Sequence, residues 1–149
     1  MTSLRESAIR RALAGDPLVG REVRVLPEVG STNDYLKEAA REGAPEGLAV
    51  LAERQTAGKG RMGRSFQSPA GLGLWMSVLL RPTCPPERLP PVTALTAAAC
   101  AGAIREVCGA EVGVKWPNDL VLDGRKLCGI LTELESGGEG LALVIGIGL

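Results

Sequence analysis

The apolar and polar positions of this chain fall into short segments of two periods. Leu4, Ala8, Ala12 and Leu13 share one helical face, and Ser3 with Glu6 has capping-box spacing. Residues 3–13 therefore predict a helix, which Gly15 and Pro17 end. Residues 22–26 alternate about Val23 and Val25 and predict a strand. Ser31 and Thr32 stand as N-caps before a helical run that reaches Arg41 and stops at Gly43 and Pro45. Unbroken apolar runs at 47–52 and 73–80 predict buried strands. A proline-rich loop then leads into an Ala-rich helix over 91–107. Its Leu95, Ala98, Ala99, Gly102 and Ala103 predict close packing on a core, and Gly109 closes it.

Residues 111–116 alternate into a turn at Pro117, Asn118 and Asp119. Residues 119–122 and 126–134 predict two strands joined by Asp123-Gly124, a strong hairpin signal. Glycines at 137, 138 and 140 make a further turn before a last strand over 141–149. There are no repeats and no linker, so the chain reads as one domain over 1–149. The element order predicts an α+β fold, a mostly antiparallel mixed sheet packed against helices.

One stretch breaks the pattern. Gly58, Gly60 and Gly63 alternate with Lys59, Arg61 and Arg64 between residues 53 and 66. Glycine lets a backbone come close to a ligand, and clustered cations repel one another unless an anion sits among them. The loop thus reads as a cradle for phosphate or carboxylate, with a solvated basic turn as the competing reading. Residues 58–63 match G-x-G-x-x-G, but a helix-breaking run follows and the next acid is Glu87, after Pro82, Pro85 and Pro86, so a dinucleotide fold is rejected. A P-loop fails as well, because Glu53 and Gly60 stand where it requires glycine and Ser or Thr.

Composition narrows the chemistry. Lys plus Arg and Asp plus Glu both number 17, so the net charge is zero and the basic charge is local. That argues against a general nucleic-acid binder. No apolar run is long enough to span a membrane, and the first 13 residues lack the apolar core of a signal peptide. The four cysteines form no C-x-x-C pair and read as reduced thiols in a cytoplasmic protein. The chain has no histidine, which removes Ser-His-Asp and Cys-His catalysis and any His-ligated metal. Chemistry must come from Lys, Arg, Asp, Glu and backbone dipoles, which favours anion stabilisation.

A second polar concentration holds Lys115, Trp116, Asn118, Asp119 and Lys126. An ion pair there would be worth little at a surface. In the strand that follows, alternation puts Leu127, Gly129 and Leu131 on one side and Cys128, Ile130 and Thr132 on the other. Gly129 inside an apolar strand implies a close approach by backbone or ligand. Capping alone accounts for Ser31, Thr32 and Asn33, although a helix N-terminus also suits polar ligand groups.

Five segments occur in one order: Ser31-Thr32-Asn33, residues 55–64 from Gln55 to Arg64, Ser68-Pro69-x-Gly71, residues 115–119 from Lys115 to Asp119, and residues 126–131 from Lys126 to Leu131. Together they resemble the catalytic domain of biotin protein ligase, the biotin–[acetyl-CoA-carboxylase] ligase, over about residues 25–149. The resemblance implies a class II synthetase-like fold and an ATP-dependent ligase. It would activate biotin to biotinyl-5′-AMP and transfer it to a lysine of the biotin carboxyl carrier protein of acetyl-CoA carboxylase. It implies biotin and ATP as substrates, Mg²⁺, and catalytic roles for Lys126 and Arg61. The biotin site would comprise Ser31, Thr32, Asn33, Gln55, Gly58, Gly60, Arg61, Lys126, Gly129 and Leu131, with Thr32 and Gln55 near the ureido ring. Lys59, Arg61, Arg64, Phe66, Lys115 and Asn118 would serve ATP and its phosphates, and Asp119 the metal.

Two residues depart from the family pattern. Lys59 stands where Arg is frequent, losing the planar fork. Phe66 stands where Trp is frequent, with less area to stack. The chain also stops where the family usually continues, so a domain truncated at its C-terminus is expected, along with an open sheet edge that invites a homodimer. Residues 1–20 have room for one helix and no helix-turn-helix, so no DNA binding is expected. An incomplete domain that binds biotin without turnover and a lipoate-type ligase of the same superfamily are the alternatives. The glycine loop is expected to be mobile when empty, since its cations lack an anion.

Overall fold

The computed structural model describes residues 4–13, 15–137 and 140–149. Ser3 of the expected capping box and residues 138–139 of the expected turn lie outside the described residues. Among the described residues seven strands form one sheet: β1 Glu22–Leu26, β2 Leu48–Ala52, β3 Trp75–Leu80, β4 Gly113–Lys115, β5 Asp119–Leu122, β6 Arg125–Gly137 and β7 Gly140–Gly148. Their order across the sheet is β1-β2-β3-β7-β6-β5-β4. β1 and β2 run parallel and every other neighbouring pair is antiparallel. The expected mixed, mostly antiparallel α+β sheet is what forms.

The parallel pair requires a crossover, and α2 Thr32–Arg41 supplies it. Ser31 caps this helix, its Oγ accepting from the Asp34 N–H at 3.4 Å. Leu36, Ala39 and Ala40 of α2 pack on Leu48, Val50, Leu79, Ala142 and Val144. The Arg81 guanidinium holds the end of the helix and the loop after it, donating to Ala40 O at 3.0 Å and to Ala44 O at 2.8 Å.

The hairpin signal at Asp123-Gly124 is realised between β5 and β6. Both residues take positive φ, 50° and 74°, as a type I′ turn requires. β6 and β7 form a longer hairpin than expected, paired from Gly129 with Gly148 to Gly137 with Gly140.

Three expectations are corrected here. α1 Glu6–Ala12 follows Arg5 as its N-cap and buries no residue, so the expected apolar face is not a core seam. It is held by polar side chains that satisfy the outer backbone of β1. Glu6 Oε1 accepts from Val25 N at 3.0 Å, and Arg10 donates to Val23 O at 3.3 Å. The last strand, β7, lies between β3 and β6, so it leaves no open edge. α3 Pro91–Cys108 packs through another seam than the one expected. Ala97 and Ile104 are buried, with Cys100 and Ala101 beside them, while Leu95 is 66% exposed and Ala98, Ala99 and Ala103 are exposed. The exposed row borders a groove of about 520 Å³ lined almost wholly by apolar side chains.

Candidate active site

Elements from both halves of the chain meet at one pocket. The N-terminus of α2 brings Ser31, Thr32 and Asn33, the strand leaving β2 brings Gln55, and the glycine loop brings Lys59, Gly60, Arg61 and Phe66. The opposite wall is Asn118, Lys126, Gly129 and Leu131, with Gly146 and Gly148 of β7 beneath. The cavity is small, about 50 Å³. The apolar groove beside α3 is ten times larger but collects no charged group, so the narrow pocket is where chemistry can occur.

The wall under α2 is a largely buried polar network, neutral at the pocket and tied behind it to the charged Glu133 and Lys37. Thr32 donates to Gln55 Oε1 through its backbone N–H at 2.8 Å and its hydroxyl at 3.0 Å. Gln55 Nε2 donates to Ser68 Oγ at 2.8 Å, which fixes which way the carboxamide points. Ser77, fully buried, directs its hydroxyl at Thr32 Oγ1, 2.7 Å, and Asn33 Oδ1, 2.6 Å. Asn33 Nδ2 donates to Glu133 Oε2 at 2.7 Å, and Glu133 accepts from Lys37 at 2.9 Å. Every member has a partner, the condition under which a buried polar network holds one geometry.

The floor is made by the absence of side chains. A Cβ on Gly146 would overlap the Asn33 carboxamide, and one on Gly148 would overlap the Phe66 ring. Gly129 and Gly148 face each other across β6 and β7, so the two absences form one slot. The Phe66 ring rests in it, edge-on to Trp75 at 6.0 Å between centroids.

The cations line the other end. Lys126 Nζ lies 2.9 Å from Asp119 Oδ1 and 5.6 Å from the centre of the Phe66 ring. Arg61 donates to Asn118 Oδ1 at 2.9 Å. Lys59 Nζ sits between both oxygens of Asp34, at 2.8 and 2.7 Å. Burial by itself would push the Asp34 carboxyl up, but hydrogen bonds from Lys59 and Lys37 outweigh it and hold it below the usual aspartate range. Burial likewise pulls Lys37 down, and its bonds to Glu133 and Asp34 more than restore it. The arrangement offers a neutral hydrogen-bonding end and a cationic end, which suits a ligand with a polar ring and a carboxylate or phosphate tail.

The family model for biotin/lipoate A/B protein ligases matches residues 25–149. This chain belongs to that family. It is 40% identical over 147 residues to the bifunctional ligase/repressor BirA of Bacillus subtilis, an alignment covering 98% of this chain and 45% of that one. The fold is similar to biotin protein ligase of Aquifex aeolicus in complex with biotin and ATP, with TM-score 0.70 and 36% identity, covering 87% of this chain and 52% of that one. It is also similar to the Leishmania major biotin protein ligase in complex with biotinyl-5-AMP, with TM-score 0.71 and 35% identity, covering 86% and 56%. The chain thus spans about half the length of these relatives.

Most ligase residues expected from the sequence line the pocket: Ser31, Thr32, Asn33, Gln55, Lys59, Gly60, Arg61, Phe66, Asn118, Lys126, Gly129 and Leu131. Gly58, Arg64, Lys115 and Asp119 do not. Gly58 is buried behind the loop, its carbonyl accepting from Phe66 N at 2.8 Å, and a Cβ there would overlap the Phe66 carbonyl. Arg64 and Lys115 are exposed. Lys59 reaches the pocket wall with its charge already engaged by Asp34.

The glycine loop is a small hairpin. Lys59 pairs with Ser65, Gly60 N donates to Arg64 O at 2.7 Å, and Met62 and Gly63 turn it with positive φ. Two of its three cations have protein partners, so the premise that they lack any reason to order without an anion does not hold. Sequence reading missed Ser77, Glu133, Gly146 and Gly148. Ser77 was readable as the lone polar residue of an apolar strand, and the two glycines as an i, i+2 pair in β7.

Proposed function

We propose that this chain activates biotin with ATP to biotinyl-5′-AMP and transfers the biotinyl group to a lysine of a biotin carboxyl carrier protein. The observation that carries the reading is the pairing, in one pocket, of the neutral groups Thr32, Gln55 and Asn33, braced from behind by buried Ser77, with the cations Lys126 and Arg61. The first end hydrogen-bonds a ureido ring, and the second meets a carboxylate and a phosphate.

In the first step a biotin carboxylate oxygen attacks the α-phosphorus, forming the mixed anhydride as the α–β phosphoanhydride bond breaks and pyrophosphate leaves. Two anions must be brought together, so preorganised cations supply the main stabilisation. Lys126 and Arg61 sit where both can be met, while Asn118 fixes the guanidinium. In the second step a neutral lysine amine of the carrier attacks the acyl carbon. AMP leaves with the bonding electron pair, and the amine proton is lost to solvent. The Phe66 ring and the loop exclude water meanwhile. Histidine is needed in neither step.

A 50 Å³ cavity is well below the 300–1,000 Å³ or so typical of ligand sites. Ligand entry therefore displaces Phe66 and the loop that carries it. Among the described residues no three His, Cys, Asp or Glu side chains cluster to hold a metal ion. That bears on a protein-built cage alone, since magnesium arriving with the ATP phosphates needs only one or two carboxylates, and no step is assigned to a metal. Among the described residues no helix is long and apolar enough to cross a membrane. ATP and the carrier meet in the cytoplasm in this reading. The Bacillus subtilis relative is named a repressor as well as a ligase, and the function proposed here is the ligase half alone.

Calorimetric titration with biotin, then with biotin after ATP–Mg²⁺, tests the reading. Binding followed by pyrophosphate release is expected. No heat in either titration would sink it, and binding without pyrophosphate release would reduce the chain to a biotin-binding domain.

A further inference from the structure

Strict alternation along β6 would turn Lys126 away from the pocket, on the side of Cys128. The pairing shows why it does not. Asp119 faces Gly129 and Leu120 faces Cys128, but Val121 faces Lys126, so β6 carries one extra residue at Leu127. Such a bulge re-aims the side chains around it. Leu127 packs with Cys128 and Ile130 against the α3 cluster, contrary to the alternation that grouped it with Gly129. Lys126 folds instead over Gly129, its Cε and Nζ both 3.1 Å from where a Cβ would stand.

Asp119 meets it there. The Oδ1 atom is buried and accepts no aligned hydrogen bond, and its counter-charge is Lys126 Nζ at 2.9 Å. A magnesium ligand must offer its oxygen to an ion that keeps waters and substrate phosphates around it. This oxygen is sealed beneath an ammonium, and a second cation on it would be repelled.

We propose that Asp119 is a positioning residue for Lys126, its buried Oδ1 committed to the ammonium rather than to a metal ion. With the bulge and Gly129 it sets the ammonium at the cationic end of the pocket before any substrate arrives. What Lys126 then does rests on the ligase reading above. A carboxylate and an α-phosphate would enter against an ammonium already placed.

The test uses ligand-free, metal-free protein and an acetylating N-hydroxysuccinimide ester, with labelling at each lysine read by mass spectrometry. Asp119→Asn should raise the rate at Lys126 several-fold and leave Lys59, which is held by its own partner Asp34, unchanged. Adding Mg²⁺ to the unsubstituted protein should leave Lys126 as protected as before. Asp119→Glu, which keeps the charge, should retain most of the protection and guards against misfolding of the Asn variant. Equal labelling of Lys126 in the unsubstituted protein and both variants would overturn the proposal, as would release of Lys126 by Mg²⁺ alone. In turnover, Asp119→Asn should lower kcat roughly 10–100-fold, the scale of a displaced reacting group, with the Mg²⁺ concentration for half-maximal rate unchanged. A rise in that concentration would restore the metal role. A biotin titration of the same samples separates the two claims: if biotin does not bind, the ligase reading fails while the labelling result still decides the Asp119–Lys126 relation.

Discussion

The two faces of the sheet are built to different standards. α2 has ten residues and buries five of them, Thr32, Asn33, Leu36, Ala39 and Ala40, against the sheet. α3 has 18 residues and buries two, Ala97 and Ile104, beside an open groove. The pocket hangs on α2, and α3 contributes no residue to it. A buried polar network tolerates no slack, because each unmatched donor or acceptor carries its full desolvation cost. An apolar seam loses only contacts when it loosens. The site therefore sits on the face where helix and sheet close tightly.

The sharpest way to break this contrast is to put a methyl group where the tight face has none. Gly146→Ala drives a Cβ into the Asn33 carboxamide, which Ser77 and Glu133 hold from either side. Overpacking and broken buried hydrogen bonds together should cost about 2–4 kcal/mol, measured by urea denaturation. Biotin affinity should fall with it. A loss under about 0.5 kcal/mol would show that the α2 face has slack after all. Ser77→Ala comes next. It removes the hydroxyl between Thr32 and Asn33 and leaves Asn33 Oδ1 short of a donor, for an expected loss of about 1–3 kcal/mol in the same assay.

The difference between the faces also explains what could be read from the sequence. Element positions were legible because caps and breakers act locally: Ser31 starts α2, Gly109 ends α3 in the left-handed conformation, and Asp123-Gly124 turns the hairpin. The pocket residues were legible through their motifs, since polar groups and glycines in apolar strands stand out. The side-chain directions were not. The bulge that turns Lys126 inward depends on how β6 pairs with β5, and no residue within β6 announces it. The packed seam of α3 was missed for a related reason. In an Ala-rich helix every face is small and apolar, so periodicity does not say whether Ala97 or Ala99 turns inward. The partners of Lys59 and Arg61, Asp34 and Asn118, lie 25 and 57 residues away and are brought close only by the fold.

Asp34 sharpens the comparison at intermediate strength, because it ties the glycine loop to the tight face. Its folded pKa is held below that of an unfolded aspartate, near 3.9. The stabilisation is thus present above that value and is lost as pH falls through the lowered folded value. The carboxylate side chain is 44% exposed, so solvent screening keeps the effect below about 1 kcal/mol. Asp34→Asn should lower the Tm slightly at pH 7 and not at pH 2–3, where the aspartate is protonating anyway. It should also free Lys59 and raise proteolytic cutting within residues 58–66. Unchanged cutting would mean that the loop's backbone bonds alone hold it.

The smallest effect belongs to the loose face. Leu95 is 66% exposed and Ala99 is exposed along the groove. Leu95→Ala should change stability by no more than about 0.5 kcal/mol, whereas a buried leucine truncated to alanine loses about 2–5. Cysteines report on the same face without substitution. Burial, with Cys100 nearby, pushes the Cys128 thiol up to about 12, and burial also raises Cys100. Cys108 at the end of α3 is exposed. The thiolate is the reactive form, so iodoacetamide at neutral pH should modify Cys108 and leave Cys128 intact in the folded protein. Rapid labelling of Cys128 would mean that α3 lifts from the sheet, and that the groove marks a helix docked far more loosely than its two buried residues indicate.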